Sequence, residues 1–268
     1  MIGRSPLLVT SLQAPLADPF CRRLTDYLSE HLGSPMHFVD EEPWQVRERR
    51  LDDGEIDAAW ICGLHYVLRR DVPSPTITLL AAPVMYAPRY QDLPIYFSDV
   101  VVLRESPWVT FADLKGTRWA FNEPSSHSGY CLTRYELARA GRPSGFFASA
   151  MEAGSHQIAL ELLLRGEIDA TALDSTVLDA MIRTRPDLQE ELRIIATWGP
   201  SPIPPWVVSS HVDEKTRARL QEVFTSMHRD EVGCDVLREA QIARFTSVED
   251  ADYEAIRQMA RIAQDVTL

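Results

Sequence analysis

"TRWAFNEPSSHSGYCLTRYELARAG" (117–141) reads as strand, polar loop and helix in direct succession. "TRWAFN" has the short apolar run of a buried strand, and "SGYCLTRYELARAG" the spacing of a helix that closes at Gly141. A strand feeding a Ser/Gly loop into a helix start is the unit from which parallel α/β sheets are built. The loop also gathers chemistry. Ser126, His127, Ser128 and Gly129 stand where a helix offers unpaired N–H groups and the positive end of its dipole. Hydroxyl and backbone donors there can converge on one oxyanion, with His127 as a further donor and Gly129 allowing close approach. The same residues also suit plain N-capping by Ser126 or Ser128. Both readings stand for this segment alone.

Outward from this stretch the rhythm repeats. "PLLVTSL" reads as a strand, "DPFCRRLTDYLSEHLG" as a helix capped by Asp18 and closed by Gly33, and "MHFVD" as a strand. "EPWQVRERRLDDG" reads as a helix and "IDAAWICG" as a buried strand; later, "SHQIALELLLRG" and "IDATALD" repeat that pair. "GEIDA" occurs at 54–58 and again at 166–170, each time after a helix ending in Gly and before a strand. Two readings remain open: a common connection met twice, or two lobes of similar build.

Two extended stretches can join such lobes. "DLPIYFSDVVVLRESP" (92–107) is rich in strand formers. "GPSPIPPWVVSS" (199–210) carries four prolines, so its first half is neither helix nor central strand. The expected architecture is α/β with two lobes, each a mainly parallel sheet flanked by helices, and a ligand cleft between them. Lobe one is expected over 1–95 and 206–268, lobe two over 96–205, with crossovers near 92–107 and 199–210.

A second segment strengthens the oxyanion reading. "AGSHQIALELLLRG" again places Gly-Ser-His at a helix start, with Ser155 as N-cap and His156 in the first turn. A histidine there is disfavoured when charged, so it is expected to be neutral unless an anion is bound. Asp174 ends the strand "IDATALD", where ligands of α/β sheets lie, and it suits ligand binding and N-capping equally. Trp44 at a helix start, Trp60, and Tyr96 on the first crossover are aromatic candidates for covering a ligand.

Composition narrows the partners. The chain has 268 residues, 45% apolar and 25% charged, with a formal net charge of −12. Nucleic acid and anionic membranes reward clustered Lys and Arg, so neither is expected as a partner. No apolar run approaches a membrane span, and no membrane insertion is expected. Cys21, Cys62, Cys131 and Cys234 are scattered without a CxxC pair, so no metal site is expected and free thiols are the default. No catalytic constellation and no cofactor motif stands out. "MIGRSPLLVTSLQAPL" lacks the h-region of a secretory signal. The expectation is cytoplasmic placement if Met1 is the natural start, and periplasmic if an export signal was removed.

On these residues the chain resembles the phosphate-, phosphite- and phosphonate-binding components of ABC importers, of the type II periplasmic binding protein class. The likeness rests on "GEIDAAW", "PIYFSDVVVLRESP", "FADLKGTRWAFNEPSSHSGY", "GSHQIALELLLRGEIDATALDS" and "LRIIATWGPSPIPP". It implies a clamp that closes on a small oxyanion, and an ABC permease or another protein as partner. Ser126, His127 and Ser128 would hold phosphoryl oxygens at one helix start and His156 at the other, with Tyr96 and Trp44 opposite. The stretch after "SPIP" continues Pro-Trp-Val-Val without the acid that grips an amine in aminophosphonate binders, leaving Asp174 as the nearest candidate. Some proteins of this build are enzymes of cofactor biosynthesis. In that alternative His127 or His156 is the acid/base, Asp174 its partner and Cys62 a lesser nucleophile candidate.

Overall fold

In the computed structural model, β1 (Leu7–Ser11), α1 (Asp18–Leu32), β2 (Met36–Val39), α2 (Trp44–Asp52) and β3 (Ala58–Trp60) form a βαβαβ succession. The structure describes residues 6–142 and 144–268; the first five residues, on which the reading of the chain start falls, lie outside them. Next come α3 (Gly63–Arg70), β4 (Ile77–Met85) and β5 (Ile95–Leu103). A second βαβαβ succession follows: β6 (Arg118–Phe121), α4 (Leu132–Arg139), β7 (Ser149–Glu152), α5 (His156–Leu164) and β8 (Ala170–Asp174). Then come α6 (Ser175–Thr184), α7 (Leu188–Glu191), β9 (Leu192–Pro202), β10 (Trp206–Ser209), α8 (Glu214–Ser226), α9 (Glu231–Glu239), β11 (Ile242–Thr246) and α10 (Glu254–Ala263).

The chain divides into two compact units. The first ends at Ile95 and resumes over Pro202–Tyr253; the second is Tyr96–Ser201 with Glu254–Leu268. The first unit's sheet has the order β11-β4-β10-β3-β1-β2, the second β7-β6-β8-β5-β9. Within each, the βαβαβ strands pair in parallel: β1 with β2 and β3, β6 with β7 and β8. The strand beside that trio runs the other way, β10 against β3 and β5 against β8. Parallel pairing follows from crossover helices. β5 and β10 enter their sheets at the points where the chain changes unit, without such a helix, and make both sheets mixed.

The two units repeat one plan, and "GEIDA" marks it. The strand trios have the same spatial order, second-first-third, as β2-β1-β3 and β7-β6-β8. Both copies of "GEIDA" lead into the third strand. Gly54 and Gly166 sit at φ of 73° and 68°, the left-handed turn that ends each helix. Ile56 and Ile168 are buried. The aspartate does the same work twice: Asp57 Oδ2 accepts from the Leu8 N–H at 2.7 Å, and Asp169 Oδ2 from the Arg118 N–H at 2.8 Å. Asp57 N–H donates back to Leu8 O and Asp169 N–H to Arg118 O. The motif clasps the start of the neighbouring parallel strand.

In the first unit, Phe20, Leu24 and Leu28 of α1 pack with Trp206, Phe224 and Phe245. In the second, Trp119, Leu132, Leu137, Phe147, Trp198 and Val266 share one cluster, with Trp119 stacked on Phe147 at 4.7 Å. Two expectations are corrected. The C-terminal residues from 254 onward belong to the second unit, because Met259 and Val266 join that cluster and Arg134 donates to Val266 O at 2.6 Å and Gln264 O at 2.8 Å. Asp18 is not an N-cap: Pro15–Ala17 forms a 3-10 turn that runs straight into α1, leaving Asp18 inside the first turn with helical φ and ψ. Pro200 and Pro202 lie on β9, an edge strand, where a missing N–H costs least. No described helix is long and apolar enough to cross a membrane.

Candidate functional site

Three helix starts meet the carboxyl ends of the second unit's strands, and each has its own side-chain cap. Ser126 Oγ accepts from the Gly129 N–H at 3.1 Å and opens a π-type turn (His127–Cys131) in which Cys131 N–H reaches back to Ser126 O. That turn continues into α4. Ser155 Oγ accepts from the Ile158 N–H at 3.1 Å and opens α5. Asp174 Oδ1 accepts from the Thr176 N–H at 2.8 Å, the Thr176 hydroxyl at 2.7 Å and the Val177 N–H at 3.4 Å, opening α6. Capping is therefore one role of Ser126, Ser155 and Asp174.

The first two starts are fastened together. Gly154 N–H donates to Asn122 O at 2.7 Å, tying the loop after β7 to the end of β6. His156, the first residue of α5, places Nε2 3.3 Å from Ser128 Oγ. Ser128 O in turn accepts from the Ser98 hydroxyl of β5 at 2.8 Å. Gly129 lies at the centre: a Cβ there would come 2.1 Å from Asn122 Oδ1 and 3.3 Å from His156 Cε1. The close approach read from the sequence is thus filled by the site's own side chains.

Both histidines are buried, and burial pushes their pKa down to about 4. They are neutral at pH 7, each with one ring N–H to offer. His127 Nε2 lies 3.0 Å from Ser201 Oγ, and its ring centroid 6.3 Å from that of the buried Tyr96. Asp174 is pushed up to about 6, mainly by burial, with the Asp99 carboxylate adding to the rise against the stabilising Thr176 and Val177 bonds. Two buried polar atoms beside Gly129, Asn122 Oδ1 and His156 Nδ1, have no hydrogen-bond partner among the described residues.

The arrangement can hold a small oxyanion by neutral dipoles: helix-start N–H groups, serine hydroxyls and an imidazole. Such donors favour negative charge when water is excluded.

The sequence reading does not single out Ser98, Asn122 or Ser201. Ser98 shows itself as a polar residue inside the apolar run "IYFSDVVV", and Asn122 as the polar end of β6. Ser201 lies in a proline-rich stretch, and nothing in the sequence links it to His127.

The aromatic candidates of the first unit stand apart in character. Trp44 is the first residue of α2, after Pro43, the position in its trio that His156 takes in the second unit. It is half-buried. Trp60 donates from Nε1 to Pro204 O at 2.9 Å, stacks on Trp206 at 5.9 Å and meets Phe20 edge-on. It is part of that unit's packing.

A family model described as the periplasmic substrate-binding protein of phosphonate ABC transporters matches residues 20–253. A binding-protein component of an ABC phosphonate transporter from Pseudomonas aeruginosa superposes with a TM-score of 0.84, at 17% identity, covering 97% of this chain and 87% of that one. PhnD1 from Prochlorococcus marinus, in complex with methylphosphonate, gives 0.83 at 19% identity over 97% and 98% of the two chains. XAC2383 from Xanthomonas citri, bound to ATP, gives 0.75 at 19% identity over 97% and 98%. At these identities the likeness is one of fold.

Proposed function

The chain belongs to the family of phosphonate-type periplasmic substrate-binding proteins of ABC transporters, a family of solute binders rather than enzymes, and from that premise we propose that it grips the phosphoryl group of a small phosphonate, phosphite or phosphate at the paired helix starts of its second unit. Phosphoryl oxygens accept from the hydroxyls of Ser126 and Ser128, from N–H groups around His127 and Gly129, and from His156. Ser155 holds the start of α5 in place. His127 and Tyr96 back the site, and Trp44 supplies an aromatic contact to the ligand. Trp60 and Asp174 contribute by fixing the elements around them.

One observation carries this reading: the 3.3 Å approach of His156 to Ser128, which joins two separate helix starts around Gly129. A merely capped helix has no need of a second one at its shoulder. A cofactor-biosynthesis enzyme on the same fold would need an acid to orient one imidazole. Asp174 Oδ1 is instead engaged by Thr176 and Val177, which favours binding over turnover.

Calorimetric titration with methylphosphonate, phosphite, phosphate and sulfate tests the reading. Saturable binding of at least one phosphorus oxyanion is expected, with a raised melting temperature. At a hundredfold excess over Kd the stabilisation is about 2.7 kcal/mol, roughly 5–10 °C for a chain of this size. Failure of all four at millimolar concentration overturns it. The family is periplasmic, and we propose the same placement here with an ABC permease as recipient. Recovery of the native protein in the osmotic-shock fraction supports that placement; retention with cytoplasmic markers points to sensing or buffering.

A further inference from the structure

Arg104 and Arg193 of the second unit line one cavity of about 270 Å³. Its apolar lining comes from Val101, Leu178, Ile182, Leu188 and Leu192, and all but Ile182 belong to a single buried cluster. Ile194 also lines it and is 46% exposed. The cavity opens to solvent, with Val101, Leu178 and Leu188 forming a buried floor and Ile182 and Leu192 partly accessible beside it.

The backbone holds both guanidinium groups. Arg104 donates from Nε to Glu190 O at 2.6 Å, and from Nη2 to Gln189 O at 2.6 Å and Leu192 O at 2.9 Å. Arg193 donates from Nη2 to Ser106 O and Trp108 O, both at 2.7 Å. A guanidinium carries five N–H donors. Two on Arg104 and three on Arg193 are therefore unspent among the described residues, and the Arg193 Nε is buried without a partner. Neither arginine pairs with a described carboxylate, whereas Arg22, Arg50, Arg69 and Arg118 all do. In a chain of net charge −12, two arginines held by backbone carbonyls, without a described carboxylate partner and beside an apolar lining, are a specific pattern. Water can satisfy the spare N–H groups but gains nothing from the apolar residues, and apolar lining with a few fixed polar groups is how small-molecule sites are built.

We propose that this cavity binds a monocarboxylate with a compact apolar body, its carboxylate on Arg104 and Arg193 and its body on Ile182 and Leu192. The proposal is independent of the phosphoryl site. The test is ligand-observed NMR and calorimetry with phenylacetate, using 2-phenylethanol as the uncharged analogue. Phenylacetate should bind saturably and at least tenfold more tightly than the alcohol. Ile194→Glu, at an exposed position, should weaken phenylacetate tenfold or more by placing a like charge at the cavity, while Ile194→Lys should not. Arg193→Met should reduce the preference for acid over alcohol. Unchanged melting of the Ile194 variants confirms that they are folded. No saturable phenylacetate binding, equal affinity for the alcohol, or indifference to Ile194→Glu overturns the proposal.

Discussion

His156 Nε2 lies 3.3 Å from Ser128 Oγ, so the first residue of α5 reaches the helix start that opens α4. Each of these positions alone resembles an ordinary capped helix. Joined, they make a concave set of donors that no single helix start supplies. His156→Ala should therefore weaken methylphosphonate or phosphate binding by the loss of one hydrogen bond to a charged group, about 1.5–3 kcal/mol or roughly 10- to 100-fold in Kd. Ser128→Ala should act in the same direction. The double variant should cost less than the sum, with a coupling of about 0.5–3 kcal/mol, as measured by calorimetry on all four proteins. Strict additivity would mean that the two residues serve the ligand separately, if at all.

Gly129 leaves no room for a side chain. A Cβ there would stand 2.1 Å from Asn122 Oδ1, so Gly129→Ala must push the Asn122 amide or the whole turn aside. Overpacking of this kind costs about 1–3 kcal/mol, and ligand affinity should fall with it. Combining Gly129→Ala with Asn122→Ala should recover a measurable part of the stability, read from urea midpoints. Full tolerance of Gly129→Ala alone would show that the turn yields freely.

How far the site could be read in advance follows from what kind of contact each residue makes. The twin Gly/Ser/His helix starts are local, written in "SSHSGY" and "AGSHQ", and so are the left-handed glycines and aspartates of "GEIDA". The coupling of those starts is not local. It depends on β6 and β7 being neighbours, on Ser98 of β5 donating to Ser128 O, and on Ser201 meeting His127 across 74 residues. Sequence periodicity shows which face of a strand is apolar and is silent on which polar residue will stand opposite. The placement of α10 was hidden for the same reason, since an amphipathic helix does not name the surface that it covers.

Acid should weaken the fold through the buried histidines. His127 and His156 are held near 4 by burial, below the ordinary histidine value of 6.5. The native state thus disfavours their protons, and the stability this represents is complete above about pH 6.5 and is lost progressively down to about pH 4. Each group should contribute a loss of about 2 kcal/mol between pH 7 and pH 5. Asp174, raised to about 6, acts in the opposite sense: its burial cost is present above pH 6 and is relieved as pH falls. His156→Gln isolates one group. Its stability relative to wild type should improve by about 2 kcal/mol from pH 7 to pH 5, measured by urea unfolding at both values. A pH-independent difference would mean that the imidazole titrates in the native state as it does in the unfolded chain.

Trp60 and Trp44 should separate packing from ligand contact. Trp60 bonds Pro204 O, stacks on Trp206 and meets Phe20, so Trp60→Phe leaves a carbonyl without its donor and a gap in the first unit's aromatic cluster. A cost of about 1–3 kcal/mol in stability is expected, with Kd for methylphosphonate changed by less than threefold. Among the described residues Trp44, at the start of α2 and half-buried, makes neither a ring contact nor a side-chain hydrogen bond. Trp44→Ala should leave the unfolding midpoint of the ligand-free protein nearly unchanged and weaken binding several-fold, and ligand should quench less intrinsic fluorescence than in wild type. The reverse pattern, with affinity lost at Trp60 and stability lost at Trp44, would make Trp60 the aromatic that meets the ligand.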